Sequence, residues 1–138
     1  MAFSQYLADK ILVWIKGSSF PTALTTVYVS LHSGDPGTAG TNNNVQATVT
    51  GSANRTAITT STFSTVGAAP GGGFQITNSN SVQMTTNAAG SATVTHFGVW
   101  DAVTGGNFLA SGQLTSSVDV VGGDTVQFNA SALAIRLV

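Results

Sequence analysis

His96 stands five residues ahead of Asp101 in the stretch THFGVWDAVTGGNFLASGQL, Thr95 to Leu114, with Ser111 and a Gly-Gly pair close behind. A histidine oriented by a carboxylate beside a hydroxyl is the constellation of nucleophilic catalysis. The spacing argues against it here. If Thr95 to Asp101 is a strand, the pleat turns His96 to the side of Gly98 and Trp100 and Asp101 to the side of Phe97 and Val99. No G-x-S-x-G frame presents a serine anywhere in the chain. The stretch reads instead as a structural hairpin. His96 and Trp100 are strand side chains, Asp101 opens a turn, and Gly105 and Gly106 complete it with positive φ. Phe97, Val99, Phe108 and Leu114 are then core residues.

Other chemistries lack their ingredients. His32 and His96 are the only imidazoles and there is no cysteine, so a transition-metal site has too few ligands. The loop SGDPGTAGTNNN offers one carboxylate, Asp35, where calcium loops gather several; it reads as an Asx-type turn ahead of Pro36. Asp101, Asp119 and Asp124 abut turn signals and do not suggest the paired carboxylates of a glycosidase. GAAPGGG has no following Lys-Ser/Thr and is no phosphate loop. The sequence therefore points to no catalytic residue, no metal and no cofactor.

These residues must be positioned by a mainly β chain. Residues 3 to 16, FSQYLADKILVWIK, place Phe3, Leu7, Ile11, Trp14 and Ile15 on one face of an α-helix, with Ser4 as cap and Gly17 just past the end. From Thr25 the period becomes two: TVYVSLHS alternates Val27, Val29 and Leu31 against Tyr28, Ser30 and His32, as in a half-buried strand. Gly-, Asn- and Thr-rich loops at 33 to 44 and 67 to 73 are expected to project from the sheet. Strands are expected at 45 to 49, at 56 to 63, and on either side of the Asn78-Ser79-Asn80 turn. The last third reads as strands at 93 to 101, 107 to 114, 118 to 121 and 125 to 138, with a turn at Thr115-Ser116-Ser117. Short strands parted by turns, without helices between them, predict a single all-β domain over 1 to 138: an antiparallel β-sandwich or jelly-roll-like fold with one N-terminal α-helix.

Composition narrows the partners. Charged residues are 7% of the 138, against about 25% in typical soluble domains. Four scattered basic side chains cannot form a nucleic-acid patch. No apolar run approaches a membrane span, and the first ten residues are too polar for a secretory signal. Natural monomers guard strand edges with charge, so a sheet this uncharged is expected to cover its edges in a homo-oligomer, with the helix face Phe3, Leu7, Ile11, Trp14 and Ile15 as assembly contacts.

The blocks LADKILVWIKG, VYVSLHSGDPGTAG, THFGVWDAVTGGNFLASGQL, GGDTVQF and ALAIRLV resemble, in order and spacing, a family of small virion proteins of tailed bacteriophages that includes tail-fibre-like and capsid decoration (cement) proteins. The likeness spans roughly 1 to 40 and 90 to 138 and is loose between them. Members often carry an aromatic-Ala-Arg step where this chain has Ala53-Asn54-Arg55. The resemblance implies a non-enzymatic structural protein present in many copies. As a decoration protein it would sit on the capsid exterior as a trimer, bind the major capsid protein or other virion proteins, and stabilise the shell. The alternative is a tail-tip or tail-fibre subunit used in host attachment. A more distant reading is a carbohydrate-binding module with Trp100 or Tyr28 as stacking platform.

Overall fold

The structure is a computed structural model that describes residues 3–137. The N-terminal helix α1 runs Gln5–Ile15, slightly shorter than the apolar period suggests, because Ser4 takes the cap: its Oγ accepts the Leu7 N–H at 2.9 Å. Strand β1 (Thr26–His32) follows a linker at 16 to 25 that is exposed throughout. A short helix α2 (Gln46–Thr50) precedes β2 (Thr56–Thr59), a 3-10 turn (Thr60–Thr62) and β3 (Gly67–Ala68). Then come β4 (Phe74–Thr77), β5 (Val82–Thr85), β6 (Ala92–Trp100), β7 (Phe108–Val120), β8 (Val126–Phe128) and β9 (Ala134–Leu137).

Every strand pairing is antiparallel, and the fold is the expected all-β sandwich with an N-terminal helix. One layer is a four-stranded sheet in the order β2-β1-β6-β7; facing it are a three-stranded sheet, β3-β4-β9, and a two-stranded one, β5-β8. Between the layers lies one apolar cluster: Val27, Val29, Leu31, Val94, Phe97 and Val99 from the large sheet meet Met84, Val126, Phe128 and Leu133. Burying each such side chain contributes about 1.5–3 kcal/mol, which lets a chain without disulfides hold together.

Several local expectations fail for tertiary reasons. Residues 45 to 49 form no strand: Asn44 Oδ1 receives the Gln46 N–H at 2.9 Å, and the turn of helix that follows drives Val49 into the core. Buried Gln46 is bonded at both ends, Oε1 accepting from Leu31 N at 3.1 Å and Nε2 donating to Asn54 O at 3.0 Å. The expected strand over 56 to 63 turns into the 3-10 turn at Thr60. The expected loop at 67 to 73 begins as strand, since Gly67 and Ala68 pair with Gln75 and Phe74. The Asn78-Ser79-Asn80 turn links strands that join different sheets.

Thr115-Ser116-Ser117 makes no turn either; β7 is continuous there. Between the pairs Val94↔Val118 and His96↔Gln113, β6 has one residue (95) and β7 has four (114 to 117), so the polar signal marks a bulge. The expected final strand is broken between β8 and β9. There the buried Asn78 side chain donates to Asn129 O and Asn80 O and accepts from Leu133 N, fastening one turn to another.

Candidate functional site

The chemistry-bearing residues meet on the face of the large sheet that points away from the main core. Cross-strand register sets Tyr28 opposite Trp100, Ser30 opposite Gly98 and His32 opposite His96. The half-buried strand expected at β1 is buried on both sides from Val29 to His32. Its cover is the 33 to 44 loop, which does not project. Pro36 is fully buried, Asp35 Oδ1 closes an Asx turn on Gly37 N at 2.8 Å, and Gly40, at φ 74, presses onto Trp100 and Phe108.

Beneath that loop runs a chain of hydrogen bonds. Trp100 Nε1 donates to Ser30 Oγ at 2.9 Å, and Ser30 Oγ lies 2.7 Å from His32 Nε2. His32 Nδ1 is 2.7 Å from the carbonyl of Asn42. A carbonyl can only accept, so Nδ1 carries the proton, Nε2 is the acceptor, and the Ser30 hydroxyl donates to it. Burial lowers the His32 pKa below the ordinary imidazole value; His96 and Arg55 push it the same way, against the Asn42 carbonyl and Asp35. The neutral ring suits this arrangement.

On the outer side the Arg55 guanidinium lies over the Trp100 ring, Cζ 3.5 Å from its centroid, and Nη1 donates to the carbonyls of Ala102 and Gly105, each at 2.8 Å. Arg55 therefore clamps the β6–β7 hairpin loop. Asp101 accepts from Asn107 N at 2.6 Å and Asn107 Nδ2 at 2.8 Å, while Gly105 and Gly106 sit at φ 57 and 68. His96 is half-buried, and its Nδ1 lies 2.8 Å from Thr95 Oγ1; Asp101 is engaged with the turn. The structure brings no His96–Asp101 pair together.

It does bring together Ser30 and His32, which sequence reasoning left unpaired although their i, i+2 spacing on one strand face was visible. Hydrogen-bond distance alone would allow the histidine to activate the serine. The setting prevents it. Both residues have 0% exposure, and the indole N–H already donates to the hydroxyl a nucleophile would need free. The pair locks the 33 to 44 loop to the sheet. Trp100, 7% exposed and covered by Arg55 and Gly40, offers no face for a sugar to stack on, which removes the main support for a carbohydrate-binding module. Among the described residues no group of three or more His, Asp or Glu could hold a metal ion, and no helix is long and apolar enough to cross a membrane.

The apolar helix stripe is covered only at its start. Phe3, which pairs with Ala110, and Leu7 and Ile11 are half-buried; Trp14 and Ile15 are 57% and 70% exposed, and nothing on α1 is fully buried. The helix overhangs β7. A largely apolar cavity of about 310 Å³ opens beside it, lined by Leu7, Val27 and Leu109 together with Val66, Phe74, Ile76 and Leu137.

No curated protein matches the chain. A family model described as podophage GP4 fiber I protein gp80 matches residues 2–136, which takes in the described elements from α1 to β9, short of the last residue of β9, and the Ser30–His32–Trp100 lock. The chain belongs to this family of phage fibre proteins.

Proposed function

We propose that the protein is a structural subunit of the tail-fibre apparatus of a short-tailed phage, working in host attachment by holding other virion proteins in place. The observation that carries this is the match to a fibre family over residues 2–136. It favours the tail over the capsid exterior, so the decoration role expected from the sequence gives way to its alternative. The geometry supports a building part. The Ser30–His32 pair is sealed under a loop, and the conspicuous surface features among the described residues are apolar. The partners are other copies of this chain and neighbouring virion proteins.

Labelling virions with gold-conjugated antibody against the purified protein tests the placement. Label on the tail and none on the head is expected. Label spread over the head would overturn the tail reading and restore the decoration role.

A further inference from the structure

Two apolar features lie apart on the surface of this chain. The first is an exposed cluster. At the overhanging end of α1, Trp14 and Phe20 form an edge-on aromatic pair with ring centroids 6.0 Å apart, flanked by Leu12 and Ile15; the four side chains are 47% to 70% exposed. The second is the cavity of about 310 Å³ rimmed by Val66, Phe74 and Leu137, which are 42% to 70% exposed. An apolar cavity of about 150 Å³ holds one benzene ring, so this one has room for two ring-sized groups.

The aromatic pair cannot fill the cavity of its own chain. Trp14 is seven residues beyond Leu7, the helical residue that lines the cavity, or about 10 Å further along the helix axis. We propose that the Trp14–Phe20 pair of one copy seats in the Phe74–Leu137 cavity of a second copy, forming a head-to-tail interface.

Size fits this occupant. With roughly 200 Å² for a large side chain, the exposed parts of both patches amount to about 800 Å² of apolar surface, approaching the roughly 1,000 Å² that a specific interface should clear before surrounding polar atoms are counted. Lys16, the exposed C-cap of the helix, is the charge next to the pair and would lie at the rim of the contact; Asp9 and Lys10, further back, face each other at 3.6 Å. The cavity contributes only Gln75 as a polar side chain, and its Oε1 accepts from Arg136 Nε at 3.0 Å. A contact between two different surfaces is heterologous, so it closes into a ring or continues as a filament according to the rotation it imposes. The inference deepens the assembly role proposed above and takes only its setting from it, because the contact is read on purified protein.

Light scattering on size-fractionated protein decides it. The wild type should run as a multiple of its 13.9 kDa chain mass. Trp14→Asp and Phe74→Asp alter exposed side chains, so each should keep the fold by circular dichroism and run as a monomer. Mixed, they should recover a one-to-one dimer and nothing larger, since one chain keeps only the pair and the other only the cavity. A monomeric wild type, or a mixture that stays monomeric, would overturn the proposal. The chain has no cysteine, which allows a second measurement independent of assembly strength. Under oxidation, Ile15→Cys in one chain should cross-link to Phe74→Cys in another faster than either links to itself. Predominant Ile15→Cys self-linking would mean that the helix ends pair with each other, and would equally sink the head-to-tail contact.

Discussion

At His32 the two ring nitrogens are committed in opposite senses: Nδ1–H donates to the Asn42 carbonyl and Nε2 accepts from Ser30. Protonation would put a hydrogen on Nε2, pointed at a hydroxyl that the Trp100 N–H prevents from turning freely. The folded chain therefore takes up this proton at lower pH than the unfolded chain, whose imidazole titrates near 6.5. Where the unfolded state binds more protons, stability rises with pH and is lost on acidification. The melting temperature should thus hold above about pH 6.5 and drop on acidification towards pH 5, and His32→Gln should flatten that slope, as thermal melts across the range would register. The same lock explains a glycine. A Cβ at Gly98 would stand 2.6 Å from Ser30 Oγ and 3.2 Å from His32 Nε2, so Gly98→Ala should cost about 1–3 kcal/mol in denaturant unfolding.

At the scale of elements, α2 is too short to be stable alone, and its five residues include the β-branched Thr48, Val49 and Thr50. It persists because Gln46 supplies the acceptor for Leu31 N and anchors Asn54 O. Gln46→Ala should leave a buried amide without a partner and destabilise the protein by about 1–3 kcal/mol, with faster hydrogen exchange at Leu31 as the local signature. The N-terminal segment has the converse position. Ser4 N donates to Leu109 O and Phe3 bridges Ala110, so the chain start covers the first part of the β7 edge, which lacks the charges that usually protect such edges. The rest of α1 has little to rest on.

For the whole molecule, seating the uncovered helix end in the apolar cavity of another copy, as proposed above, would link folding to assembly. A partner that binds only the folded chain stabilises it by mass action, by about 2.7 kcal/mol when its concentration is a hundred times the dissociation constant. The melting temperature of the wild type should therefore rise with protein concentration in differential scanning calorimetry, whereas Trp14→Asp should melt at one temperature throughout. A concentration-independent wild type would show that the apolar surface stays exposed in solution.

The sequence by itself determined what depends on neighbours in the chain. The 3.6 period and the Ser4 cap located α1, the period of two located β1, β6 and the first half of β7, and the Asp101–Gly106 turn was written in its residue types. Low charge pointed to assembly, and the resemblance of five blocks to phage virion proteins pointed to the virion. Tertiary structure alone decided the rest. Residues 45 to 49 have the composition of a strand and became a helix because Gln46 and Val49 are claimed by β1 and the core. Thr115-Ser116-Ser117 has the composition of a turn and became a bulge because β6 holds the chain on both sides of it. Arg55, Ser30, His32 and Trp100 gain their meaning from partners up to 70 residues away, and no local propensity encodes a contact of that range.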